Sequence, residues 1–322
     1  MRILVTGAAG FIGSHATRHL HALGHEIVAT DAVEPTAAWR ICGTLRDQGV
    51  HYLDGPLADV IDEAVIGVDE VWHFAANADI PLGARDTAVD LRESVLLTQR
   101  VLEAMRARRI RLIIFPSTSG VYGNHTGPVA RETDGPLLPS SLYAAGKLAC
   151  EGMISAYASQ FGLSALIFRL GNVVGGAMSR GIIRDFIIKL REDPHILPVL
   201  GDGRQQKSYV FVEDVIGGMR HISSQAAVES GWCDVYNLAA EGSAAVAVVA
   251  QRVAAVMGLP APEIRPAGGG LSWPGDQPVI ELAIDKALST GWRPTMSAAD
   301  AVTAAAQLLL ADDDLMRSGQ PR

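Results

Sequence analysis

Cysteine is rare in this chain: Cys42, Cys150 and Cys233 are the only three in 322 residues, and they stand far apart with no Cys-x-x-Cys pair. That excludes a disulfide framework and a thiolate metal cluster, and it fits a reducing compartment. Aromatic residues are scarce at 6% while apolar residues reach 48%, so the core must be built from Ala, Val, Ile and Leu. No apolar run approaches the ~20 residues of a membrane span, and no charged-then-apolar leader opens the chain. A cytoplasmic protein without membrane attachment is expected. Basic residues are the minority, 27 against 35 acidic ones, for a formal charge of -8. Such a chain repels a phosphate backbone, so nucleic acid is not an expected partner. A phosphate-bearing ligand has to be held by local backbone amides and a few placed cations. No metal site is expected from the nine histidines.

What the sequence does have is alternation. Short β-branched runs at 3–5, 27–29, 71–74, 112–115 and 165–168 are separated by longer Ala/Leu-rich segments, of which 91–108 and 141–161 have helical length and apolar spacing. This predicts an α/β fold, a doubly wound parallel sheet with helices on both faces. After about Asn172 the rhythm breaks into Gly-rich turns with strand-like returns near 208–212 and 235–238, which predicts a smaller, discontinuous second lobe. The expected division is 1–172 plus about 207–240 for the larger domain and about 173–206 plus 241–312 for the lobe, with 313–322 a frayed tail.

Gly7-Ala8-Ala9-Gly10-Phe11-Ile12-Gly13 follows the first apolar run and opens a helical segment. A tight strand-to-helix turn needs positive φ, and a diphosphate reaches backbone amides at a helix N-terminus only where no Cβ intervenes. A turn without a ligand is the competing reading. Asp31 ends the next apolar run, where a carboxylate can accept from adenosine ribose hydroxyls and repel a 2′-phosphate, favouring NAD over NADP. Capping of the following turn is its alternative role. Further on, Tyr143-Ala144-Ala145-Gly146-Lys147 puts a phenol and an ammonium one helical turn apart, so the lysine is expected to favour phenolate. By itself that pair is commonplace on helices. Its meaning comes from Ser117-Thr118-Ser119, hydroxyls at the end of the 112–115 run, on the sheet edge where doubly wound folds bind ligands.

These motifs, together with His73-Phe74-Ala75-Ala76, the stretch Phe115 to Gly123, Arg169-Leu170-Gly171-Asn172, Gly201-Asp202-Gly203 and Tyr209 to Asp214, occur in the order of one family. The chain resembles the extended short-chain dehydrogenase/reductases of the nucleotide-sugar epimerase/dehydratase group over almost its whole length. The resemblance implies Tyr143 as catalytic base, Lys147 as its partner that also holds the nicotinamide ribose, and Thr118 as the hydroxyl meeting the sugar O4′. It implies tightly bound NAD, regenerated each turnover, on Gly7, Gly10, Phe11, Ile12, Gly13, Asp31, Leu57, Phe74, Ala75, Ala76, Ser117, Tyr143, Lys147 and Leu170. For the nucleotide sugar it implies Thr118, Ser119, Tyr143, Asn172, Ser179, Arg180, Arg204, Lys207, Tyr209 and Asp276. A homodimer is expected too, because 91–108 and 141–161 carry apolar residues on more than one face and pair as a four-helix bundle in the family.

Within the family the residue after the threonine separates outcomes. Dehydratases resemble Thr-Asp-Glu there, and decarboxylases of UDP-glucuronate carry glutamate at the position of Ser119. Ser119-Gly120 provides neither acid nor base, which leaves 4-epimerisation by transient oxidation to a 4-keto sugar. A nucleotide-sugar dehydratase or reductase, and a non-catalytic NAD-binding relative, are the alternatives. Several positions depart from the family pattern: Ser94 stands for a common Asn, Pro56 for an adenine-reading Asp, Gly146 for Ser, and Trp273 for an arginine that clamps the diphosphate. A ring cannot pair with a diphosphate as a guanidinium does, so Arg204, Lys207 or Arg265 is expected to neutralise it. Ser179 and Arg180 lie near where uronate-using relatives place a carboxylate-binding arginine. UDP-glucose/UDP-galactose and UDP-glucuronate/UDP-galacturonate therefore both stay open.

Overall fold

The computed structural model describes residues 1–32, 49–124, 127, 129–203, 205–226, 229–266, 268 and 279–312, with 279–280 described by backbone alone. Six strands in chain order, β1 (Arg2–Thr6), β2 (Glu26–Asp31), β3 (His51–Asp54), β4 (Glu70–His73), β5 (Leu112–Thr118) and β6 (Ser164–Leu170), join the strand Cys233–Leu238 in one seven-stranded sheet. The order across it is Cys233–Leu238, β6, β5, β4, β1, β2, β3. The β1–β2, β1–β4, β2–β3 and β4–β5 pairs are parallel, with Ile3 opposite both Ile27 and Glu70. The winding reverses between β1 and β4, the switch point at whose carboxyl edge doubly wound sheets bind ligands. The predicted doubly wound parallel sheet is present.

The strands read as unbroken apolar runs because both faces are covered. Trp72, Phe115 and Phe168 are fully buried, as are Ile3, Leu4 and Ile113. The helix Leu142–Phe161 begins where the Ser141 hydroxyl accepts the Ala144 amide at 3.2 Å and ends at Gly162, whose φ of 73° suits a residue without a Cβ. The 91–108 segment corrects the sequence expectation in one respect. Its first part, Leu91–Leu96, is a π-helix, and only Leu97–Arg108 is α-helical. Widened turns of this kind recur at functional sites, and this one starts beside Asp90. Arg106, in the last turn, pairs with Glu103 at 2.7 Å and lies over the Phe161 ring.

The chain divides into two compact units. The first comprises Met1–Val121, Leu137–Arg169 and Met219–Tyr236, the second Tyr122–Pro136, Leu170–Gly218 and Asn237–Arg322. In the second unit Asn172–Val174 pairs in parallel with Tyr209–Phe211, and Ile196–Val199 with Glu263–Pro266. Asn237 ties this unit together: it is fully buried, donates to the Ala130 and Ala283 carbonyls and accepts the Tyr122 hydroxyl at 2.7 Å. No helix among the described residues is long and apolar enough to cross a membrane. The expected frayed tail, 313–322, lies outside the described residues.

Candidate active site

The glycine loop sits between β1 and the helix Phe11–Ala22, at the reversal of the sheet. Gly7 has φ 67°, and a Cβ there would stand 2.7 Å from the Ala75 amide nitrogen. Only glycine lets the loop close onto the Phe74-Ala75 segment that leaves β4. Gly10 caps the helix, and no acidic residue occupies its first turn, so the helix N-terminus keeps its positive character. At the end of β2 the Asp31 Oδ2 accepts the Ala9 amide at 2.9 Å, which fixes the carboxylate against the loop. A dinucleotide fits this arrangement: a bare backbone cradle for the diphosphate, an uncompensated helix N-terminus, and an oriented carboxylate on the neighbouring strand. Leu57, predicted to offer its backbone, begins the helix Leu57–Ala64 and is buried.

Beneath that loop runs a buried polar chain. The Ala75 amide donates to Thr6 Oγ1 at 3.1 Å, Thr6 Oγ1 lies 2.7 Å from His73 Nδ1, and His73 Nε2 lies 3.1 Å from Thr98 Oγ1, which donates to Cys150 Sγ. Because the Thr98 proton goes to sulfur, His73 donates through Nε2 and accepts the Thr6 hydroxyl at Nδ1. Burial, with the nearby Lys147 charge, pushes His73 down to about 3, so the ring is neutral. This chain links β1, β4 and both long helices under the Ala75 backbone.

At the carboxyl end of β5, Thr118 Oγ1 accepts the Gly120 amide at 3.1 Å and hydrogen-bonds the Tyr143 phenol. Lys147 is 4% exposed; its Nζ donates to the Pro116 carbonyl at 2.9 Å and stands 4.6 Å from the Phe115 ring centre. Burial pushes Lys147 down to about 8, while Cys150, Glu151 and Asp90 hold it up. The Tyr143 phenol is pushed up to about 12 by burial and by the Asp90 carboxylate, against the pull of Thr118. Lys147, expected to favour phenolate, is not among the influences on the phenol. The lysine is engaged by the β5 backbone, and the charge that acts on the phenol is negative.

Sequence reasoning missed three residues that shape this corner. Asp90 is 3% exposed; Asn77 Nδ2 donates to its Oδ1 at 2.9 Å, and its Oδ2 has no partner among the described residues. Glu151 accepts the Ser117 hydroxyl in a very short hydrogen bond and pairs with Arg169 at 2.7 Å, so the hydroxyl assigned to the cofactor is committed to a buried acid. Glu151 was within reach of pattern reading, since 143, 147 and 151 recur at one-turn spacing. Ser119 is buried and begins a short 3₁₀ turn. In the second unit, Leu170 ends β6, Asn172 is exposed at a strand start, Tyr209 is buried, Lys207 lies on a short strand, and Ser179 and Arg180 are exposed just before the helix Ile182–Glu192. Arg204, Asp276 and Trp273 lie outside the described residues.

Comparison with known proteins agrees with this architecture. A UDP-glucose 4-epimerase of Corynebacterium glutamicum is 27% identical over 316 residues, covering 91% of either chain. A crystal structure of a UDP-galactose 4-epimerase superposes with a TM-score of 0.80 at 36% identity, over 97% of this chain and 99% of that one. The structure of MoeE5 in complex with UDP-glucuronic acid and NAD superposes with a TM-score of 0.83 at 27% identity, over 96% and 98% of the two chains. Residues 3–239 match the NAD dependent epimerase/dehydratase family, and the chain belongs to that family.

Proposed function

We propose that the protein is an NAD-dependent nucleotide-sugar 4-epimerase. The observation that carries the reading is the Thr118, Tyr143 and Lys147 cluster at the carboxyl end of β5, followed by Ser119-Gly120 with no second acid or base. The Gly7 loop, Asp31 and the Phe74 to Ala76 segment would hold NAD, with Lys147 at its nicotinamide ribose. Bound there, NAD supplies the hydride acceptor and donor together with the positive charge that favours phenolate. Tyr143 Oη takes the proton of the sugar 4′-hydroxyl on the outward half of the reaction and returns it on the way back. Thr118 Oγ1, already on the phenol, steadies that oxygen as the proton leaves. Lys147, held by the Pro116 carbonyl, keeps a cation behind the phenol. The 4-keto sugar turns over between the two halves and presents its other face, so C4′ is inverted on reduction and Tyr143 returns the proton to the 4′ oxygen. Dehydration or decarboxylation would need further proton-transfer groups at Ser119 and Gly120, and neither side chain can provide them.

Asn172, Ser179, Arg180, Lys207 and Tyr209 are our candidates for holding the nucleotide sugar. The named ligands of the relatives support UDP-hexose and UDP-hexuronate alike. Arg180 would favour the acid sugars by pairing with their carboxylate. We also infer a homodimer, because Leu91, Leu96, Leu142 and Phe161 are exposed on the two long helical segments. Sedimentation at micromolar concentration tests it.

The deciding experiment is proton NMR of purified protein given each UDP-sugar pair without added cofactor. Interconversion of at least one pair is expected, and none with either pair overturns the reading. Tyr143→Phe is expected to abolish turnover with NAD still bound, and Thr118→Ala to cost about 10² in rate. More than a few per cent of activity left in Tyr143→Phe would remove Tyr143 from its role.

A further inference from the structure

Asp90 is the buried acid that no role above absorbs. It stands at the start of the π-helix Leu91–Leu96, enclosed on two sides by residues without side chains. A Cβ on Gly83 would lie 2.6 Å from Asp90 Oδ2, and one on Gly146 would lie 3.3 Å from Asp90 Cβ. Gly146 precedes Lys147 and follows Tyr143 by less than one turn, so Asp90 packs through its Cβ and backbone carbonyl against the very turn that carries both. Asn77 satisfies Oδ1 at 2.9 Å, and Oδ2 is buried without a partner among the described residues. A half-paired carboxylate in such a place is costly to bury, and its field is not cancelled locally.

We propose that Asp90 is a positioning residue for proton transfer, the built-in negative counter-charge of the Tyr143 and Lys147 pair. It opposes loss of the phenol proton and supports the lysine charge, so that Tyr143 becomes a base only when added positive charge is present at the site. The other groups facing this corner do not duplicate it. Thr118, on β5, pulls the phenol the opposite way. His73, at the end of β4, acts with Lys147 and is neutral. Cys150 and Glu151, on the helix itself, act on Lys147 and are not among the influences on the phenol. Asp90 alone acts on both members of the pair.

The inference rests on Tyr143 being the proton-transfer residue, and its test does not need a sugar to be turned over. Tyrosinate absorbance is followed against pH in NAD-loaded protein, with the Tyr143→Phe titration subtracted to isolate this one phenol. Asp90→Asn keeps the acceptor for Asn77 and removes the charge. The Tyr143 titration is expected to move down by about one pH unit, on the scale of one nearby charge. Asp90→Ser, smaller and also uncharged, should move it the same way, and it decides the matter if Asp90→Asn does not fold. A titration unmoved in the folded variants overturns the proposal. A shifted titration in a protein that interconverts no sugar would leave Asp90 in place and sink the epimerase reading instead.

Discussion

The helix Leu142–Phe161 carries one buried carboxylate, Glu151, and packs against another, Asp90, and their surroundings could hardly differ more. Glu151 is met by the Ser117 hydroxyl and by both ends of the Arg169 guanidinium fork, with Nε at 3.1 Å and Nη2 at 2.7 Å. Asp90 has one amide from Asn77 and an oxygen left over. A carboxylate neutralised at contact distance projects little field beyond its partners; one paired on a single side projects more. Pairing does not silence Glu151, since both acids support the Lys147 charge, but of the two only Asp90 bears on the phenol. Glu151 is thus framework as well as charge, whereas Asp90 is tied down on one side only.

If Glu151 belongs to the framework, removing it should hurt the fold more than any other change considered for this corner. Glu151→Ala leaves the Arg169 charge buried and without its partner acid, and the expected loss is roughly 3–5 kcal/mol in chemical denaturation. A loss below about 1 kcal/mol would mean that the pair is not a framework element. Ser117→Ala is the milder version. It removes one hydrogen bond to a charged group while leaving the ion pair intact, and it should cost roughly 1.5–3 kcal/mol. Its NAD content should stay near that of the parent, since the hydroxyl faces Glu151.

Much of this contrast could not be read from the chain. Gly7, Asp31, Thr118, Tyr143 and Lys147 were legible because each demand leaves its mark on residue type at a predictable place: a bare Cα where a loop closes on Ala75, a carboxylate at a strand end, and two groups one helical turn apart. Asp90 leaves no such mark. Its burial depends on Gly83 in the helix just before it, on Gly146, distant in sequence, and on a π turn that apolar periodicity cannot distinguish from an α turn. The phenol was misjudged for the same reason. Spacing alone placed the Lys147 charge beside it, whereas tertiary packing brought the Asp90 charge.

His73 extends the fully paired side of the comparison to pH. Both ring nitrogens are engaged by threonine hydroxyls, and the folded ring is held neutral down to about 3, below its ordinary 6.5. The unfolded chain protonates this residue first, so its contribution to stability is present above about pH 6.5 and is lost as pH falls toward 3. The slope approaches about 1.4 kcal/mol per pH unit. Denaturation of wild type and His73→Gln between about pH 7 and pH 5 should show the variant's slope flattened by that amount. Lys147, poised near 8, titrates outside that window. Equal slopes would place a charged imidazole in the folded core and undo the hydrogen-bond assignment along Thr6, His73 and Thr98.

The smallest expected effect is at Ser94, which sharpens the comparison at the level of a single hydroxyl. Like Ser117 it is buried, at 1% exposure, but its Oγ has no partner among the described residues. Removing a paired hydroxyl strands the partner, whereas removing an unpaired one strands nothing and relieves a desolvation penalty. Alanine also favours helical backbone slightly more than serine does. Ser94→Ala should therefore lie within about 0.5 kcal/mol of wild type or be mildly stabilising, in contrast to Ser117→Ala measured the same way. Ser94 is one turn beyond Asp90 on the same π stretch, so the variant also controls for the general polarity of that segment: the Tyr143 titration should not move with it. A loss above about 1 kcal/mol, the worth of a satisfied hydrogen bond, would show that Ser94 is bonded after all, and the line drawn between paired and unpaired groups in this corner would have to be redrawn.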